Sequence, residues 1–186
     1  MLRRPNSCKI MDNPTQKKPL LIGIDPDTEA SGWAEINVDT REVLMTTLPF
    51  YSLTRHFDWL QGRDDLAPYI VLENVWETSH NRHIAGQVNA QAIAKTGYNV
   101  GRCAMIGELL RDAISERGLP LICQKPLIKR WKGKDRKITH EELVEVCRQH
   151  RLILPKNKLK RSNQEERDAL LLAIHHIATP TKLFDK

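Results

Sequence analysis

A chain of 186 residues, 40% hydrophobic and 28% charged, suits one domain, and a domain of this size buries roughly 70% of the surface its unfolded chain exposes. The four cysteines (Cys8, Cys103, Cys123, Cys147) include no C-x-x-C pair, which argues against a disulfide framework or structural zinc and for reduced thiols. No apolar run approaches the roughly 20 residues of a membrane span, and the first residues lack the apolar block of a signal peptide, so a soluble, cytoplasmic protein with no membrane partner is expected. The net charge of +6 is local. Lys125, Lys129, Arg130, Lys132, Lys134, Arg136 and Lys137 stand against Asp135 alone, and 7 − 1 gives +6 for that stretch, equal to the whole chain's balance. A second cluster, Lys156, Lys158, Lys160 and Arg161, precedes the final helical pattern. Local basic surface of this kind is either the footprint of a polyanion partner or a set of solvated loops.

In chain order, residues 1–18 are polar and aperiodic and read as a flexible basic arm. The stretch LLIGIDPDTEASGWAEINV, Leu20 to Val38, reads as a β-hairpin whose first strand stops on Asp25 before Pro26. Glu42 to Leu48 reads as a third strand, closing an antiparallel meander. Leu53, Phe57, Leu60 and Leu66 give a loose helical stripe weakened by Gly62. Tyr69 to Leu72 is a short fourth strand that ends on another acid, Glu73. The Asn-, Gln- and His-rich segment after it shows no clear period until Ala90, and Asn99 to Arg117 reads as an amphipathic helix stopped by Gly118. Leu119 to Cys123 is a fifth strand, and the basic loop follows. Thr139 and Glu142 have the spacing of a capping box and open a helix that runs to about His150. A last helix begins after Ser162, apolar on most sides. Strands that alternate with helices after a meander imply an α/β fold: a five-stranded mixed sheet, its first three strands antiparallel, with helices on both faces. The domain is expected to span 19–180, with 181–186 as a tail.

In such a sheet the first and fourth strands are neighbours, so Asp25 and Glu73 end side by side, and Glu165 and Asp168, three apart on the last helix, share a face. Four converging carboxylates repel unless cations lie between them, and hard divalent ions prefer all-oxygen ligands. Two such ions about 4 Å apart would activate a water and stabilise the leaving oxygen of a phosphodiester. Each acid also has an ordinary reading: a turn residue for Asp25, a solvated strand end for Glu73, a capping partner of Ser162 for Glu165, and a favourable charge near a helix N-terminus for Asp168.

The run G-I-D-P-D-x-x-x-S-G-W-A, with V-L-E-N-V-W at Val71–Trp76, I-K at Ile128 and Lys129, Lys137, and E-x-x-D-A-L-L-L-A-I-H-H at Glu165–His176, resembles the RuvC-type Holliday-junction resolvases of the RNase H-like nuclease fold. The resemblance covers about Leu20 to Ala178. It implies a homodimeric endodeoxyribonuclease that resolves four-way DNA junctions with two Mg²⁺ ions, Mn²⁺ substituting. It further implies that Asp25, Glu73, Glu165 and Asp168 hold the metals and that Lys129 and Lys137 stabilise the scissile phosphate, with Lys132 as a spare. Trp76 takes the place of an aromatic that stacks into the junction. Glu165 stands where the family more often has Asp, and Asp27 where it usually has Gly. The remaining cations, Arg82, Lys125, Arg130, Lys134 and Arg136, are expected to contact DNA. The alternatives are the same fold acting on other branched DNA or structured RNA, or a catalytically silent nucleic-acid-binding module.

Overall fold

The computed structural model describes residues 17–77 and 89–177. Five strands, β1 (Lys18–Asp25), β2 (Ser31–Asn37), β3 (Val43–Leu48), β4 (Leu66–Glu73) and β5 (Leu121–Gln124), form one sheet in the order β3-β2-β1-β4-β5. The β1–β2 and β2–β3 pairs are antiparallel, and β4 and β5 run parallel to β1. The expected mixed α/β sheet with an antiparallel meander is therefore present. Helices α1 (Phe50–Gln61) and α2 (Ala90–Glu116) cover one face, and α3 (His140–Gln149) and α4 (Gln164–His176) the other.

Central strand β1 shows how the period of two builds both layers. Leu20, Ile22 and Ile24 join Trp33, Phe57, Leu60 and Leu110 in the core under α1 and α2. Leu21 points the other way, with Ala34, Ile36, Val71, Leu143 and Ala169 beneath α3 and α4. Gly23 and Asp25 share the face of Leu21, so the last acid of the strand lies on the α4 side.

That face is unusually close. A Cβ on Gly23 would stand 2.0 Å from the carbonyl oxygen of Ala169, and one on Gly32 would stand 2.0 Å from that of Glu165. Only glycine lets the α4 backbone rest directly on β1 and β2. Gly32 is also the register partner of Asp25. The same contact that seats α4 thus brings its first turns over the end of β1.

Several boundaries differ from the sequence reading. Leu66 opens β4 rather than closing the helical stripe, because α1 ends at Gly62, where the Gly62 N–H donates to the Asp58 carbonyl and the Arg63 N–H to that of Leu60. Helix α2 starts at Ala90, not Asn99, with the Asn89 side chain accepting from Gln91 N at 2.9 Å. The amphipathic stripe from Asn99 marks the part of the helix that packs, since its buried residues are Gly107, Leu110 and Ile114. The expected capping box at Thr139 and Glu142 is present. The box that opens α4 uses Asn163 and Glu166 rather than Ser162 and Glu165, so Glu165 has no capping duty. Glu166 is 3% exposed, and its carboxylate also pairs with Lys158 Nζ at 2.5 Å, tying the 156–163 loop to the helix. Among the described residues no helix is long and apolar enough to cross a membrane.

Candidate active site

The register sets the first two acids beside one another. Gly23 pairs with Val71 and Ile24 with Leu72 across the parallel β1–β4 ladder, so Asp25 and Glu73 stand one step further on at neighbouring carboxyl ends. Val71 belongs to the α4 face, and Glu73, two residues on, shares it. The two side chains hydrogen-bond to one another. Burial, then the charges of Glu73 and Asp168, push the Asp25 carboxyl well above the usual carboxylate range. Glu73 is also raised by burial, though the bond from Asp25 and the nearby Lys129 and Lys137 oppose the shift. Two buried carboxyls this close do not both ionise readily, so the pair retains a proton more easily than either acid would alone.

Asp168 completes the group from α4. Burial raises its carboxyl too, against the bond from Gln164 and the fields of Lys137, Lys129 and Arg167. Gln164 Nε2 donates to Asp168 Oδ1 at 2.8 Å, and Lys137 Nζ stands 3.9 Å from Asp168 Oδ2. Glu165 lies less than one turn before Asp168 and is half-buried, with its carbonyl against Gly32. Among the described residues no hydrogen bond or ion pair joins its side chain to the other three acids.

The donor set suits a hard divalent cation: three half-buried carboxylates whose repulsion two lysines offset only in part. The acids are gathered without being closed into a cage. Among the described residues, no group of three or more His, Cys, Asp or Glu side chains stands tightly enough to hold an ion by itself.

The loop between β5 and α3 is built to present cations rather than left slack. Trp131 N donates to the Arg136 carbonyl and Gly133 N to that of Lys137, while Asp135 and Arg136 take left-handed backbone angles. The Glu142 carboxylate accepts from both Lys132 N and Thr139 N. Trp131 packs on the α3–α4 core. Lys125, Lys129, Arg130, Lys132, Lys134 and Arg136 remain exposed, and Lys137 is turned toward Asp168.

Trp76 is turned inward. Its ring rests on Gly107, where an added Cβ would come within 2.7 Å, and the Arg111 guanidinium lies over it at 5.5 Å from the ring centroid. An indole seated this way packs against α2. Arg82 and the neighbouring His80 and His83 lie outside the described residues.

Asp27 shapes the turn between β1 and β2. Its Oδ1 accepts from Glu29 N at 2.9 Å, and its own N–H donates to Ser31 Oγ at 3.1 Å. These are the bonds of an Asx-type turn, in which an Asp side chain caps the backbone two residues on. Sequence reasoning missed four contributors: Gln164, which orients Asp168; Gly23 and Gly32, which seat α4; and Asn74. Asn74 is 4% exposed and turns the chain away from Glu73, donating from its N–H to the Gln124 carbonyl and accepting from Glu77 N. The glycines stood inside strand patterns, where a close backbone approach is a standard reading.

No family model matches the sequence, and no curated protein matches it. Among solved structures, T. thermophilus RuvC in complex with a Holliday junction substrate is similar to this chain with a TM-score of 0.48 and 16% sequence identity, over 84% of this chain and 91% of that one.

Proposed function

We propose that the chain is an RNase H-like, metal-dependent endodeoxyribonuclease of the RuvC type, acting as a homodimer on four-way DNA junctions. The observation that carries the reading is the convergence of Asp25, Glu73 and Asp168 at the carboxyl ends of two parallel strands, with Lys137 at 3.9 Å from Asp168. The strand order β3-β2-β1-β4-β5, antiparallel then parallel, supports the RNase H-like assignment. Asp25, Glu73, Asp168 and, from the same helix, Glu165 would hold two Mg²⁺ or Mn²⁺ ions. Such ions supply positive charge for generating a hydroxide nucleophile and for the leaving oxygen of an in-line displacement. Gln164 fixes the rotamer of Asp168. Lys129 and Lys137 neutralise charge that grows on the phosphate during displacement, and no side chain is required as a covalent nucleophile. A two-fold dimer would address opposed strands of a junction of the same symmetry.

The test is cleavage of a labelled synthetic four-way junction by the parent, Asp25→Asn and Glu73→Gln. Each substitution is expected to lower the rate by at least ~100-fold, the scale of a lost electrostatic contact in the transition state. Parental rates in both would sink the assignment.

One observation favours keeping a second substrate class. The inward seat of Trp76 on Gly107 takes away the feature that most favoured junctions over flaps or structured RNA. A panel of labelled duplex, flap, junction and RNA substrates separates these cases, because a junction-selective enzyme cuts the junction alone.

A further inference from the structure

The second basic cluster, 156–161, lies far from the 125–137 loop in sequence, yet the fold stitches the two together. His140, the first residue of α3, sits with Nδ1 2.9 Å from Ser162 Oγ and Nε2 3.2 Å from the Leu159 carbonyl. Arg167 donates from Nε to the Ile138 carbonyl at 3.0 Å and from Nη1 to the Ser162 carbonyl. Its guanidinium thus staples the two loops through neutral partners, and among the described residues no carboxylate pairs with it at salt-bridge distance.

Two hollows lie around the start of α4, one lined by Gln164 and the other by Asn163. One, of about 450 Å³, is lined by Lys134, Asp135, Lys137, His140, Gln164 and Arg167, three cationic side chains outnumbering the one acid. The other, of about 430 Å³, is lined by Lys158, Arg161, Ser162, Asn163 and Glu166. The first borders the candidate site through Lys137 and through Gln164, which holds Asp168. In the second cluster Lys158 is neutralised by Glu166, whereas Lys156, Lys160 and Arg161 are exposed. The lysine pairing fixes the loop, and the other three cations face solvent.

We propose that the 156–161 loop is the outer half of a phosphate track: Lys156, Lys160 and Arg161 hold the sugar-phosphate backbone of a nucleic-acid arm that reaches the carboxylates past Lys137. The inference rests on the nuclease reading, since it is the adjacent acids and lysines that make a nucleic acid the fitting polyanion. An acidic protein segment would have no use for a track that ends among three carboxylates.

The measurement is equilibrium binding of a labelled four-way junction, and of one arm as linear duplex, across a salt series in EDTA. No turnover is needed, so the result is independent of catalysis. The variant K156Q/K160Q/R161Q is compared with the parent and with Arg55→Gln, a charge loss on α1 across the sheet. Each phosphate contact contributes about 0.9 to the slope of log K against log salt. The triple variant is expected to flatten that slope by about 2 to 3 and Arg55→Gln by well under 1, with thermal midpoints unchanged because all the side chains are exposed. The double variant K160Q/R161Q is expected to give about two-thirds of the change. A triple variant with the parental slope and affinity overturns the track and leaves the nuclease reading standing. A parent that binds neither probe overturns both.

Discussion

The two faces of the sheet solve different problems. Under α1 and α2 the core is made of bulk: Trp33, Phe57, Leu53, Ile24 and Leu110 are fully buried and keep the helices at side-chain distance. Under α4 bulk is absent where it would be expected, because Gly23 and Gly32 let the helix backbone touch the strands. The difference teaches where the chemistry can be. A helix held off by large side chains could not bring an aspartate to the end of a strand, and one resting on glycine can.

Truncation on the bulky face is expected to have the largest effect on stability and little on the site. Phe57→Ala should cost about 3–5 kcal/mol, read as a lower denaturant midpoint, while activity per folded molecule stays parental. On the close face the balance reverses. Gly32→Ala forces a Cβ toward the Glu165 carbonyl, so the helix must move, at about 1–3 kcal/mol. Activity should fall by more than the loss of folded protein accounts for, because Asp168 moves with the helix. If both substitutions changed activity and stability in the same proportion, the contrast between the faces would fail.

The pH dependence sharpens the same contrast. Asp25 titrates above its unfolded range of about 3.9, so its ionised form costs the metal-free fold. Stability tied to it is present below about pH 4 and is lost as pH rises through the raised value. Asp25→Asn should therefore make the metal-free protein more stable at pH 7 and flatten the gain seen on acidification. Glu73 and Asp168, also raised, leave some of that gain behind. His176, whose basicity is lowered by burial, works in the opposite direction as pH falls below about 6.5, so the parent-minus-variant difference is the quantity to follow. Asp65 and Glu145, held down at about 2 by Arg63 and Arg148, act only at lower pH. The smallest effect is expected at Gly107. Gly107→Ala should displace the Trp76 ring for about 1 kcal/mol or less, seen as a red shift of tryptophan emission in the absence of DNA.

The sequence carried the meander and the two strand-end acids because a period of two in short apolar runs is a strong local signal. The neighbours of Asp25 followed from topology alone. What escaped was set by tertiary contact. The sequence places the start of α2 at Asn99 because the turns before it bury nothing, and the N-cap of α4 shifted by one residue because Asn163, rather than Ser162, meets the helix start. The side chain of Trp76 could be placed on its loop, but its direction depends on Gly107, thirty-one residues away. Asp27 departs from the resolvase pattern, and its carboxylate builds the turn after β1.

The most direct test is calorimetric titration with Mn²⁺ of the parent and of Asp25→Asn, both verified as folded. The account expects saturable binding to the parent and its loss, or at least a ~10-fold weakening, in the variant. Equal binding by the two, or none by the parent, would contradict a metal centre at the ends of β1 and β4.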